Sequence, residues 1–246
     1  MRVSYYTDPA CPWSWAVEPG LRRLVSELGN QLEIEYVMSG MAREFGEPVR
    51  MVQEALEASG ASGMPVDPRL WLEGAPRSSY PACIAVKAAA SQGDPGPYLR
   101  RLREGFMCRR RKLDTTEALV EEARAVPGLD IERFRIDLGS HGTLESFAND
   151  LERSKGVTSP AFEVDGRLLA NFGELVDISS TETPKLGAPV PSVLDALRRF
   201  GTMATPEVSE VCDLPGPRAP AELWRLATEW EVKAERVGNG ELWTLP

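Results

Sequence analysis

Histidine is nearly missing from this chain: His141 is the single one in 246 residues. Cysteine is sparse too, and Cys11, Cys83, Cys108 and Cys212 stand far apart, with no CxxC pair and no Cys/His cluster. These shortages exclude a zinc site of the usual ligand spacing, and no metal is expected. The wide cysteine spacings also give no disulfide framework, as suits a reducing compartment. No apolar run approaches the ~18 residues that would span a membrane. The opening MRVSYYTDPA lacks the charged-then-apolar pattern of a secretory leader. The expectation is a cytoplasmic protein without membrane attachment. A surplus of positive charge is absent as well. The formal net charge of −9 offers no bulk attraction to nucleic acid or anionic lipid.

What is present reads as an α/β protein with room for a sizeable core. Residues 2–6 are β-formers, and residues 12–28 carry Val17, Leu21, Leu24 and Leu28 at helical spacing behind Pro12, a welcome first-turn residue. Residues 32–38 alternate and then turn continuously apolar, a second strand, so the opening is a β–α–β unit with a parallel pair. Helical periodicity then dominates to about residue 155, and Gly, Pro and Asp separate the runs. Asp114 or Thr115 caps one helix, and Ser140 or Thr143 another. Residues 59–78, rich in Gly, Pro and Ser, predict a loop with Trp71 packed inward. AFEV at 161–164 and RLLA at 167–170, joined by Asp165-Gly166, predict a hairpin. A helix starts near 172, and residues 179–191 have linker composition. The tail, 190–246, predicts three helices and a hairpin turning at Gly238-Asn239-Gly240, the layout of a winged helix. Thr205 is expected to cap its second helix. Six Lys/Arg against nine Asp/Glu over residues 189–246 argue against a phosphate-reading role and for a docked or protein-binding unit.

Chemistry concentrates in DPACPWSW, residues 8–15. A thiol at the start of a helix faces unpaired N–H groups and partial positive charge, which favour the reactive thiolate. On that ground the Cys11 thiol is expected to be lowered. The competing reading is a small buried apolar residue. Ser14 stands three residues on; its hydroxyl is able to donate to a thiolate but forms no disulfide. Of Trp13 and Trp15, one is expected under the helix and one at the site. The run RRLREGFMCRRRKL, 100–113, gathers basic residues in an acidic protein. It reads as an anion- or acidic-partner site, or as a solvated helix face. His141 reads as a loop or cap residue.

These segments carry a family resemblance. DPACPWSWAVEPGLRRL, LEIEYVMSG, YPACIAVKAAASQG, YLRRLREGFM and GVTSPAFEVDGRLL resemble the DsbA-like thioredoxin superfamily, in the cytoplasmic branch of FrnE-like dithiol–disulfide isomerases and YjbH-type adaptors. The resemblance implies a thioredoxin fold, residues 1–40 and 156–180, with a helical domain, 41–155, inserted after the second strand. A winged-helix-like unit, 190–246, lies outside the superfamily core. It implies Cys11 as nucleophile, with Ser14 at the resolving position and Pro160 as the cis-proline facing the thiol. Pro12, Trp13 and Ser159 are then substrate-binding neighbours. Taken by itself, Ser159-Pro160 is only a turn.

Ser14 departs from the dithiol pattern, and Cys83 is the least remote substitute for the missing thiol. The resemblance thus leaves three functions open. One is a monothiol oxidoreductase or disulfide isomerase acting on a protein or glutathione disulfide, with no bound cofactor and glutathione as a co-substrate. The second is a YjbH-type adaptor that presents a regulator to the ClpXP protease. The third is a glutathione-dependent transferase or isomerase like the kappa-class and 2-hydroxychromene-2-carboxylate enzymes.

Overall fold

The computed structural model of the chain describes residues 1–182 and 189–246. Strand β1 (Arg2–Thr7) leads through a turn into helices α1 (Pro12–Ala16) and α2 (Glu18–Leu28), and a short 3-10 turn precedes β2 (Glu33–Met38). β2 lies parallel to β1 in direct register, Tyr5 opposite Tyr36. The single helix expected over 12–28 is broken at Val17. Pro19 has no N–H to give the carbonyl four residues back, and its ring excludes that carbonyl, so the chain restarts a helix with Pro19 in the first turn.

Seven helices are inserted between β2 and the next strand: α3 (Pro48–Ser62), α4 (Leu70–Glu73), α5 (Tyr80–Ala90), α6 (Gly96–Met107), α7 (Thr116–Arg124), α8 (Ile131–Leu138) and α9 (His141–Arg153). The loop expected over 59–78 is shorter than its composition suggested. α3 runs through Ser62 and stops at Gly63, whose φ of 72° is left-handed, and α4 takes four of the remaining residues. Trp71 on α4 is buried, with its ring edge-on to Phe45. Thr115 and Ser140 are the caps of α7 and α9, each accepting a backbone N–H through its side-chain oxygen. His141 is the first residue of α9 and is exposed.

β3 (Ala161–Val164) returns antiparallel to β1 and turns at Asp165-Gly166 into β4, which is only Arg167–Leu168. The sheet order is β2-β1-β3-β4, and α10 (Phe172–Glu182) follows. Residues 179–182, expected in a linker, end this helix, and 183–188 lie outside the described residues. Val3, Tyr5 and Phe162 of the sheet pack on Leu21, Leu24 and Leu28 of α2 and on Leu175 of α10. This is a thioredoxin fold with a helical insertion after its second strand.

The tail is α11 (Val193–Phe200), β5 (Met203–Ala204), α12 (Thr205–Val211), α13 (Arg218–Thr228), β6 (Lys233–Val237) and β7 (Gly240–Thr244). Its sheet order β5-β7-β6 makes it winged-helix-like, around a core that includes Leu197, Val208, Leu223 and Trp243. Ala204, not Thr205, is the N-cap of α12. Glu207 reaches back to accept the Ala204 N–H at 2.6 Å, while the Thr205 hydroxyl is taken by the indole N–H of Trp243.

The winged unit is fastened to the rest. Its hairpin turn bonds both α3 and the stretch after it: Asn239 Nδ2 donates to Ser59 Oγ of α3, and Asn239 Oδ1 accepts the Val66 N–H. Ala204, Val237 and Leu242 belong to the same core as the insertion helices.

Candidate functional site

Cys11 is the N-cap of α1, and its Sγ accepts the Ser14 backbone N–H at 3.4 Å. The chain folds this way because Asp8 forms an Asx turn, its Oδ1 accepting the Ala10 N–H, and Pro12 starts the helix. The thiol is turned inward. Cys11 is 2 % exposed, and its S–H points to the carbonyl oxygen of Ser159 at 3.7 Å. The Ser159–Pro160 peptide is cis. Ser159 Oγ donates to Ser39 Oγ, which ties the proline turn to the end of β2. Cys11, Ser14, Ser159 and Pro160 are thus brought together. Pro12 is buried beside them, while Trp13, 38 % exposed, faces an outer cleft. Trp15 is sealed beneath the helix, donating to the Pro65 carbonyl under the Arg100 guanidinium.

The expected lowering of the thiol is not what the structure shows. Burial pushes the Cys11 thiol above its ordinary value, and the Asp8 carboxylate adds to the rise. The hydrogen bonds from Ser14 and from the Trp13 backbone work downward without cancelling it. A helix start in solvent favours a thiolate, whereas one sealed by a cap turn and a proline loop charges desolvation first.

Ser14 is buried and committed. Its Oγ accepts the Thr7 hydroxyl at 2.9 Å, and Thr7 Oγ1 in turn accepts from Arg103. Cys83 lies on α5 with its S–H donating to Asp8 Oδ2 at 3.3 Å, and burial and that carboxylate drive its thiol well up. All four cysteines are free and buried.

Sequence reasoning missed the charge cluster below the thiol helix. Glu18, Glu104 and Glu207 face Arg22, Arg100 and Arg103, and all six are buried. Arg103 joins Glu18, Thr7 and the Tyr5 hydroxyl. Arg100 spans Glu18 at 3.2 Å, Glu104 at 2.9 Å and Glu207 at 2.7 Å. Arg22 Nε meets Glu207 at 3.0 Å. Burial alone would raise the Glu18 carboxyl, but Arg103, Arg100 and Arg22 together hold it below the usual range. The basic run is therefore split between the interior and the surface, with Arg100 and Arg103 buried and Arg110, Arg111 and Lys112 exposed. Arg100 and Arg103 are interior partners, and Arg101 and Arg111 both clamp Glu122. The visible signals were Glu18 and Arg22 one helical turn apart and arginines at 100 and 103 on a face that also carries Leu99 and Leu102.

Residues 5–158 match the sequence profile of the family described as thioredoxin. The chain belongs to the thioredoxin family. It is 25 % identical over 271 residues to the ClpXP adapter protein SpxH of Halalkalibacterium halodurans, covering 99 % of this chain and 88 % of the relative. To the ClpXP adapter protein SpxH of Bacillus subtilis it is 28 % identical over 274 residues, with the same coverage of both chains. The cytosolic disulfide reductase DsbM from Pseudomonas aeruginosa, solved with GSH, shares the fold. Its TM-score is 0.59 at 21 % identity, covering 71 % of this chain and 91 % of that one. No helix among the described residues is long and apolar enough to cross a membrane, and no group of three or more His, Cys, Asp or Glu there is arranged to hold a metal ion.

Proposed function

We propose that this thioredoxin-family protein works by binding: it is an adaptor that holds a regulatory protein and delivers it to a ClpXP-type protease. The observation that carries this reading is the state of Cys11. A redox nucleophile needs reach and thiolate character. Here the thiol is 2 % exposed and pushed up by burial, and Ser14 stands where a resolving thiol would be. The likeness to the adapter relatives extends over the winged unit, since it covers 99 % of the chain, while the reductase covers 71 %. The fold serves this role by making one continuous body of thioredoxin sheet, helical insertion and winged unit.

A second reading rests on one hydrogen bond, from the Ser14 N–H to Cys11 Sγ at 3.4 Å, which supports a thiolate once solvent reaches it. In that reading the Cys11 thiolate attacks the glutathione sulfur of a mixed disulfide and expels the substrate thiolate. Reduced glutathione then attacks the Cys11–glutathione disulfide to leave oxidised glutathione and the free Cys11 thiolate.

Immobilised protein is challenged with purified Clp ATPase and with cell extract, and bound regulators are then supplied to ClpXP. The adaptor reading expects retention of the ATPase together with a regulator whose degradation speeds up when the protein is added. Retention of neither would sink it.

A further inference from the structure

A cleft of about 890 Å³ opens where three parts of the chain meet. One wall is α1 and the start of α2, with Trp13 and Pro19. The stretch beyond α3 adds Pro65. The winged unit closes the far side with Pro206 on α12 and Pro220 on α13. Phe172 completes the apolar lining. Its ring lies against Gly20 so closely that a Cβ there would stand 2.4 Å from Cε1. The two rings and four prolines of this surface lose little rotamer freedom when something binds.

The neutral polar side chains around the cleft are spent inside the fold. Asn239 holds Ser59 and Val66, Thr205 accepts from Trp243, and Ser209 donates to the Leu214 carbonyl. The charged lining residues are Glu210 and Glu241, and no arginine or lysine among the described residues lines the cleft. Each carboxylate has an arginine nearby, Arg23 at 3.3 Å from Glu210 and Arg236 at 3.8 Å from Glu241. Surface pairs of this kind are weak and exchangeable.

The geometry points to this cleft as the docking site for an extended segment of a partner protein, with apolar or aromatic side chains flanked by lysine or arginine. Charge complementarity commits it to a cationic segment, since an acidic one would set its own carboxylates against Glu210 and Glu241. This deepens the adaptor reading and rests on it, by naming the surface on which the regulator is held. Cys11 does not line the cleft, so docking there needs no thiol chemistry.

The test is fluorescence anisotropy of the full chain with two fluorescein-labelled synthetic peptides. One alternates leucine and phenylalanine with arginine; the other carries glutamate in place of each arginine. The arginine peptide is expected to bind, to weaken as salt rises, and to bind about tenfold or more tighter than its glutamate counterpart. Trp13→Ala should weaken it about tenfold or more, and Glu210→Lys with Glu241→Lys by about tenfold, with thermal unfolding unchanged in both variants. Equal affinity for the two peptides, no binding of either, or binding indifferent to both variants would overturn the proposal. Capture of the Clp ATPase on the same proteins separates the two claims. Capture without peptide binding removes the cleft alone, and peptide binding without capture removes the adaptor reading alone.

Discussion

At the scale of single residues, Ser14 does more than stand in for an absent thiol. Its hydroxyl oxygen is the acceptor for Thr7, which itself receives Arg103. Ser14→Ala leaves the Thr7 hydroxyl without that acceptor in a sealed site, and should cost about 1–3 kcal/mol in urea unfolding. Ser14→Cys restores a CxxC pattern but offers sulfur as a poor acceptor, so it should also destabilise. The thiols carry their own pH dependence. Above about pH 8.5 the cysteines of the unfolded chain ionise, while folded Cys11 and Cys83 hold their protons because burial has raised them. The folded state then binds more protons than the unfolded one, so stability present below that pH is lost as pH rises. The urea midpoint should fall between about pH 8.5 and pH 10, and Cys83→Ala should flatten the fall. A midpoint flat across that range in the parent chain would contradict the burial argument.

At the scale of elements, periodicity and turn chemistry made much of the fold legible. The β–α–β opening, the Asp165-Gly166 hairpin and the three helices and hairpin of the tail follow from them directly. The break at Val17 was legible too, since Pro19 stands inside the helical run, but periodic Leu21, Leu24 and Leu28 outweighed it. The cap of α12 was not legible. Ala204 has no capping side chain, and the bond is made by Glu207 three residues on. Nor did sequence reveal the interior arginines, because local charge density does not say which carboxylates the fold brings to them. Two of the contacts that fasten the winged unit each have a test. Gly238 has a φ of 43°, and a Cβ there would lie 2.0 Å from the Val66 carbonyl oxygen. Gly238→Ala should cost about 1–3 kcal/mol for the backbone conformation alone, with the clash added, and should open the hairpin turn to protease. Glu207→Ala leaves Arg22 and Arg100 short of a buried partner and should cost about 3–5 kcal/mol in urea unfolding.

At the scale of the whole molecule, shared packing and ion pairs predict that the winged unit and the thioredoxin body unfold together. The cluster of Glu18, Arg22, Arg100, Arg103 and Glu207 runs from beneath the thiol helix to α12. A chain ending at residue 189 would strip Glu207 from these arginines and Ala204, Val237 and Leu242 from the insertion core. It should lose the single sharp thermal transition of the full chain, followed by circular dichroism; two independent transitions in the full chain would contradict this. The candidate site was legible in two ways: helix-start chemistry points to Cys11 and its neighbour Ser14, whereas Ser159 and Pro160 come from the family resemblance alone. Its electrostatic character was not, since the sign of the Cys11 shift depends on burial, and burial is set by the loops that close over the thiol.

That sign bears on the choice between binding and redox turnover, and intact mass measures its consequence most directly. The full chain is incubated with oxidised glutathione at pH 7, quenched with acid and weighed. A sealed, protonated Cys11 predicts the unmodified mass from the folded protein, and adducts only after denaturant is added. A single glutathione adduct on the folded chain, mapped to Cys11, would contradict the account.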